Sequence, residues 1–283
     1  MHRTPQAVAF STASLVLLLL AAGAAAGLVV LAVPPSDPQA LQGLPSNTWW
    51  FLYSQGPSGS PLAAWRIGTA VIASLVSAGA VLRARILYSR SPSPALLFVT
   101  MFLLSLGLEC LRAGTALLAA TEGSVALSVL LTRVIYWGRF VGLLGLLLAS
   151  LYGLEMKYAR FMVLGGMVLL VSFAMAAYIP VDRTVFLAQL TWKLGDEQSV
   201  WFLNLAIEAL VVLSCLAAVV VRGPATLRMS AALVLFIVAR EVEFFALQPL
   251  PGAAGVIAQA GGALLCLSRW GDGARSVPRR PAG

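Results

Sequence analysis

Residues 95–120 read ALLFVTMFLLSLGLECLRAGTALLAA, an apolar run that is long enough to cross a bilayer as one helix. Seven other runs along the chain are apolar and about 20 residues or longer, the last of them shorter and rich in glycine. We therefore predict an all-α protein, a polytopic bundle of about eight transmembrane helices. The predicted spans are 8–33, 63–88, 95–120, 125–153, 159–180, 200–221, 226–247 and 251–269.

The composition agrees with this class of protein. Of the 283 residues, 60% are hydrophobic and only 11% are charged, whereas a soluble domain carries about a quarter. The net charge of +8 arises from basic residues at the ends of the apolar runs, which indicates topology signals. No basic stripe is interleaved with aromatic residues, so we expect no nucleic-acid partner.

The distribution of Lys and Arg predicts the orientation, because these residues resist translocation. Twelve of them fall in the termini and in alternate loops, against two (Arg183 and Lys193) in the other loops. This bias predicts a multi-pass protein of the cytoplasmic (inner) membrane, with both termini in the cytoplasm. The twelve are Arg3, Arg83, Arg85, Arg90, Lys157, Arg160, Arg222, Arg228, Arg269, Arg275, Arg279 and Arg280.

Four regions follow from this topology. Residues 1–33 form a first transmembrane helix or signal anchor, and cleavage after Ala24-Ala25-Ala26 would leave seven helices. Residues 34–62 form an outer loop rich in proline and aromatic residues, 63–270 a seven-helix bundle, and 271–283 a disordered cytoplasmic tail. Between two spans, residues 184–199 place leucines at helical spacing. This segment is predicted to be an amphipathic helix at the outer interface, or else an ordinary loop.

The residue inventory excludes several kinds of chemistry within the membrane. The only histidine is His2, and the only lysines are Lys157 and Lys193 in loops, so no span carries a histidine pair or a Schiff-base lysine. The three cysteines are scattered through separate apolar runs. We expect no catalytic residue, no metal and no cofactor, and we do not expect an enzyme.

Buried charges are the informative residues, since an ionisable group inside a membrane is costly and usually faces the bundle interior. Glu109 and Arg112 share one face of their helix, as do Arg240 and Glu243, because each pair is three residues apart. Matched depths predict three pairs between helices, Glu109 with Arg240, Arg112 with Glu243, and Arg133 with Glu208. The candidate site residues are Glu109, Arg112, Arg133, Tyr136, Arg139, Glu208, Arg240, Glu241 and Glu243.

Three interpretations of these charges stay open. They are structural salt bridges that set helix register. Alternatively they line a polar chamber in the outer half of the membrane, where an unpaired Arg139 binds a small anionic ligand beside Tyr136 and Trp137. In the third, Glu241 or Glu208 exchanges protons.

Two stretches carry a resemblance to a known family. Leu104-Ser105-Leu106-Gly107-Leu108-Glu109 is followed by Arg133-Val134-Ile135-Tyr136-Trp137-Gly138 and later by Tyr152. This resembles the N-terminal seven-transmembrane sensor region of bacterial membrane histidine kinases, over about a quarter of the chain. The resemblance implies a receptor-like module with Glu109, Arg133 and Tyr136 near the ligand. The family's cytoplasmic output domain is missing, so signalling would need a separate cytoplasmic or membrane protein partner.

We therefore expect a receptor-like or sensory integral membrane protein that signals through such a partner. Two alternatives remain. The protein is a small-molecule or lipid transporter, since the charged third and seventh spans are four apart as in a parallel repeat. Otherwise it is a structural or assembly subunit of a membrane complex, in which the charges only join helices.

Overall fold

The computed structural model describes residues 5–32, 62–90, 92–120, 123–153, 161–187, 189–245 and 249–275. The predicted loop at 34–62 lies outside these residues, apart from its last position. Residues 276–283 of the predicted tail also lie outside them, whereas residues 271–275 continue the last helix.

The described part of the chain forms eight helical rods, which confirms the all-α bundle. The third rod consists of two helices, α3 and α4, that share one predicted span. Between α6 and α7 the chain forms a small antiparallel sheet of β1 (Val181–Phe186) and β2 (Trp192–Leu194). The helices are α1 Pro5–Ala32, α2 Leu62–Arg90, α3 Pro94–Leu108, α4 Leu111–Ala120, α5 Val125–Gly153, α6 Phe161–Tyr178, α7 Glu197–Arg222, α8 Leu227–Phe245 and α9 Pro249–Arg275.

Seven of the rods are long and apolar enough to cross a membrane. The exception is α8, because it carries Arg228, Arg240, Glu241 and Glu243 within nineteen residues. It packs against α7 and α9, and Arg240, Phe236 and Glu243 are buried. Because Arg240 and Glu243 face the neighbouring helices, α8 avoids the cost of exposing these two charges to lipid.

Glycines bring α3 and α5 close together, as the Gly138-x-x-x-Gly142 spacing predicts. A Cβ atom built on Gly145 would lie 3.1 Å from the carbonyl oxygen of Phe98, and one on Gly142 would meet the side chain of Ser105. The Phe102 ring of α3 in turn contacts Phe236 of α8, with 4.9 Å between centroids. The helices α3, α5 and α8 therefore share one core.

The predicted amphipathic helix at 184–199 is wrong. Val181 pairs with Leu194 and Asp182 with Lys193, and α7 begins only at Glu197. The apolar residues of this segment are buried against the bundle instead of lying in the interface, since they pack with α2, α4 and α5. Valine and threonine before Phe186 also favour a strand.

Candidate functional site

The site begins at a break in the third rod. The amide of Glu109 donates to Leu106 O (3.1 Å) and that of Cys110 to Gly107 O (3.3 Å), so the chain makes i→i−3 hydrogen bonds there. Arg112 N donates to Glu109 O in the same way (3.1 Å). A tight turn of this kind within a helix is uncommon and often marks a functional position. It places the Glu109 carboxylate inside the bundle.

Glu109 uses both carboxylate oxygens in ion pairs. Arg112 Nη2, one turn along the rod, lies 2.5 Å from Oε2, and Arg139 Nη1 of α5 lies 3.1 Å from Oε1. All three side chains are buried. A carboxylate between two guanidinium groups is well satisfied in a low dielectric, where charge-assisted hydrogen bonds are strong.

The ion pairs continue across the bundle to α8 and α7. Arg139 Nη2 lies 2.9 Å from Glu241 Oε1, the same oxygen that Arg240 Nη1 contacts at 2.5 Å. Arg240 Nη1 also contacts Glu208 Oε1 at 2.7 Å. Six charges of alternating sign thus join four rods. This ion chain runs Arg112, Glu109, Arg139, Glu241, Arg240, Glu208.

Phe244 shields the buried half of the ion chain. Its ring lies under the guanidinium carbons of Arg139 (3.6 Å from the centroid) and Arg112 (4.3 Å). Tyr136 packs on its edge at 5.9 Å between centroids. Cation–π contacts stabilise a desolvated guanidinium by up to about 2 kcal/mol, so the aromatic pair favours charged arginines here.

Two members of the ion chain, Glu208 and Glu241, are more exposed than the other four. The side chains of Arg112, Arg139 and Arg240 are 1–3% exposed, and that of Glu109 is 5% exposed. Glu208 and Glu241 are 14% and 29% exposed. The carboxylates are therefore the groups of the ion chain that a molecule approaching from outside the protein would meet.

These two carboxylates line a cavity of about 270 Å³ among α5, α7, α8 and the hairpin. That volume lies near the lower limit for small-molecule sites. The cavity has a mixed wall of polar, aromatic and aliphatic side chains. They are Tyr136, Arg139, Leu187, Gln189, Leu194, Glu197, Gln198, Val200, Trp201, Asn204, Leu205, Glu208, Glu241, Phe244 and Phe245.

The β1–β2 hairpin covers one side of the cavity and is joined to the rods by side chains. Trp192 Nε1 donates to Ser128 Oγ (2.8 Å), and Trp192 N donates to Thr132 Oγ1 (3.3 Å), both on α5. Thr115 of α4 donates its hydroxyl to Leu190 O. At the open edge, the amide and hydroxyl of Thr184 donate to Asp182, which lowers the pKa of that carboxyl.

Arg66 of α2 caps the end of α8 beside the cavity. Its guanidinium donates to Phe244 O (3.1 Å) and Phe245 O (3.4 Å). The last carbonyls of a helix have no partner within it, so a buried arginine satisfies them and complements the helix dipole. This cap was not predicted, although Arg66 is visible in the sequence as a charge inside a span.

The three predicted pairs do not form. Glu109 pairs with Arg139 instead of Arg240, because α5 supplies a guanidinium on the α8 side of the broken rod. Arg112 pairs with Glu109, its neighbour on the same helix, and not with Glu243, whose buried Oε1 has no hydrogen-bond partner.

Glu208 pairs with Arg240 instead of Arg133. Arg133 is half-buried on α5 and makes no ion pair within the described residues. Arg139 was expected to be unpaired, but it has two carboxylate partners. Of the two expected lining aromatics, Tyr136 does line the cavity, whereas Trp137 faces α6 and donates to Leu169 O (3.3 Å).

Several cavity residues were missed. Trp201, Asn204 and Leu205 lie seven, four and three residues before Glu208, so they share its helical face, and this spacing could have identified them. Phe244 directly follows Glu243 and gave no separate signal. Within the described part of the chain, no three His, Cys, Asp or Glu side chains are grouped closely enough to bind a metal ion.

The chain matches no protein-family model, no curated protein and no solved structure.

Proposed function

We propose that this chain is a receptor-like or sensory membrane protein that binds a small ligand in the cavity. The observation that carries the proposal is that the ion chain is exposed where it lines the cavity and is buried at the break in the third rod. Its more exposed members are Glu208 and Glu241, and its buried end is Arg112 with Glu109. A ligand at one end therefore changes the partners available at the other.

The proposed signal passes along shared arginines. A ligand that contacts Glu241 competes with Arg139 and Arg240 for the same oxygen, since both guanidinium groups contact Oε1. Arg139 loses its contact with Glu241 and then pairs with Glu109 alone. The backbone of Glu109 forms the tight turn between α3 and α4. Binding in the cavity would in this way bias the angle between the two halves of the third rod.

The charge bias of the loops supports a cytoplasmic membrane location with the hairpin end of the bundle outside and the C-terminus in the cytoplasm. The cavity would then lie in the outer half of the bilayer. Because the third rod crosses from inside to outside, its turn would report an outer ligand to a partner protein on the inner side. The resemblance to histidine-kinase sensor regions is consistent with such a partner.

A transporter is the second candidate, and the break at Glu109 favours it. Interrupted membrane helices commonly form substrate sites in transporters, where they coordinate ions near mid-membrane. Here the Glu109 carboxylate at the break is already paired with Arg112 and Arg139. A transporter would have to release one of them during its cycle.

A binding and flux experiment in two membrane systems tests both candidates. Three probes of similar shape, phenylethylammonium, phenylacetate and neutral phenylethanol, would be titrated onto the protein in nanodiscs. Leu205→Trp narrows the cavity, and Leu213→Trp is the matched control on the exposed face of the same helix. Hydrogen exchange would be followed over residues 106–113, and uptake of the same probes would be measured in proteoliposomes.

The receptor proposal expects at least one probe to bind, with binding lost in Leu205→Trp and kept in Leu213→Trp. It also expects altered exchange over residues 106–113 and no uptake above empty liposomes. Uptake that depends on the protein would refute the receptor proposal and support the transporter. If no probe binds at millimolar concentration, both candidates are refuted.

A further inference from the structure

We propose that the ligand of this cavity is an organic cation, whose ammonium group binds at Glu208 and Glu241 and whose apolar part packs on Trp201 and Phe245. This inference rests on the proposed function, because it assigns a ligand class to the same cavity. It replaces the anionic ligand that the sequence suggested.

The two carboxylates lie close together and share one partner. Both Oε1 atoms contact the single nitrogen Nη1 of Arg240, so they cannot be more than about 5.2 Å apart. Within the described residues, the second oxygen of each carboxylate makes no ion pair. Glu241 also contacts Arg139, so the charges of the ion chain balance, but both arginines are at most 3% exposed whereas Glu208 and Glu241 are 14% and 29% exposed. The cavity surface therefore presents the carboxylates, and its negative potential favours a cation.

The arginines of the wall are not available to an anion. Both Nη atoms of Arg139 contact carboxylates, and its Nε is buried without a hydrogen-bond partner. Arg240 lies behind Glu208 and Glu241 and is 1% exposed. The remaining charged group of the lining is Glu197, a third acid. An anionic ligand would therefore meet carboxylates before it met any guanidinium.

Uncharged groups of the lining point to the same ligand class. The side-chain carbonyl oxygens of Asn204 and Gln189 are buried at the cavity, and neither accepts a hydrogen bond. Buried acceptors without a donor are costly, and the N–H groups of an ammonium ion would satisfy them. Among the buried side-chain atoms of the lining without a partner, these two acceptors outnumber the one donor, Nε of Arg139, so this second feature of the wall also favours a cation.

Aromatic rings offer the apolar part of such a ligand a surface. Trp201 and Phe245 both border the cavity and are about half exposed, at 51% and 45%. Phe244 is unsuitable, because Arg139 and Arg112 already cover its ring. Tryptophan is the strongest cation–π partner among the side chains, and the Trp201 ring stays available at the cavity edge.

Charge-selective labelling of a cavity cysteine tests this inference. Leu205→Cys places a thiol in the lining, and the native Cys110, Cys215 and Cys266 are buried. The labelling rate in nanodiscs would be measured with three methanethiosulfonates, which carry a trimethylammonium, a sulfonate or a neutral methyl group. Thr184→Cys on the exposed edge of the hairpin provides the reference rates.

We expect the cationic reagent to be favoured over the anionic one by about tenfold more at Leu205→Cys than at Thr184→Cys, as two carboxylates a few ångströms away imply. Glu208→Gln should reduce this preference to about threefold. The variant keeps Arg240 paired with Glu241, so the bundle should fold. Asp182→Asn, which removes an acid outside the cavity, should leave the ratio of cationic to anionic labelling at Leu205→Cys itself unchanged.

The outcomes separate this inference from the proposed function. If the neutral reagent labels Leu205→Cys but the charged reagents show no preference, or the anionic one is favoured, the cation inference is overturned and the cavity remains. If the neutral reagent does not reach the thiol, the accessible cavity itself is refuted. Protection of the thiol by phenylethylammonium and not by phenylacetate would add direct support.

Discussion

Replacement of Arg240 by methionine tests the ion chain at the residue that holds its two most exposed carboxylates. Methionine keeps much of the side-chain volume but removes the partner that Glu208 and Glu241 share. Glu241 retains Arg139, whereas Glu208 loses its ion pair within the described residues. The removal of one partner from a buried pair costs about 3–5 kcal/mol. Because Glu208 is 14% exposed, we expect Arg240→Met to lower the free energy of unfolding by about 3 kcal/mol.

The measurement is reversible unfolding in bicelles, followed by steric trapping or by titration with dodecyl sulfate. Arg133→Met is the matched control, since Arg133 is half-buried and makes no ion pair within the described part of the chain; its cost should stay below about 1 kcal/mol. The double variant Arg240→Met/Glu208→Gln should recover about 1–2 kcal/mol, as the unpaired charge is gone. Equal costs for Arg240→Met and Arg133→Met, or a further loss on adding Glu208→Gln, would refute the pairing.

Two further substitutions test the packing of α3 on α5 and the attachment of the β1–β2 hairpin to α5. Gly142→Ala should lower the free energy of unfolding by about 1–3 kcal/mol, because the new Cβ would overlap the Ser105 side chain and lie 3.3 Å from the Phe102 ring. Gly166→Ala, at a glycine with open space around it, should change this free energy little, and equal losses in thermal unfolding would contradict the close packing of α3 on α5. Ser128→Ala removes the acceptor of Trp192 Nε1 and should raise hydrogen exchange in residues 181–194 by about fivefold, or 1 kcal/mol. Ser150→Ala, whose hydroxyl only contacts the backbone of its own helix, should leave this exchange unchanged, and the same increase in both variants would exclude a specific role for Ser128.

The sequence predicts the bundle well because a membrane-spanning helix is a local property of about twenty residues. The predicted span 226–247 coincides with the helix α8, but its four charged residues keep α8 from being apolar enough to cross a membrane by composition alone. Its assignment as a span stays a prediction. The choice of buried charges as the important residues also needs no structure, since their cost in lipid depends on residue type alone.

The pairing of those charges could not be predicted, because it depends on which helices are neighbours and on how each is rotated. Equal depth in the membrane predicts a pair of Glu109 with Arg240. Arg139 of α5 has a similar depth, however, and it is the residue that contacts Glu109. The break after Leu108 was also invisible, since the third run contains no proline and its turn is stabilised by contacts with other rods.

The hairpin was missed for a related reason. Leucines at 187, 190 and 194 have helical spacing, yet the bundle buries Leu190 and Leu194 through a strand and its turn. Leu190 itself adopts a positive φ of 60°, which a leucine takes only when surrounding contacts impose it. Those contacts come from the hydroxyl of Thr115, which donates to Leu190 O, and from the apolar cluster of α2, α4 and α5 residues in which Leu190 is buried. Local spacing contains no information about either.

The hydroxyl of Thr115 has a mechanical consequence. It joins the cover of the cavity to α4, the short half of the third rod, which begins just beyond the turn at Glu109. The proposed change of angle at the turn would therefore also displace the hairpin over the cavity. Under that proposal, ligand entry and rearrangement of the ion chain are coupled.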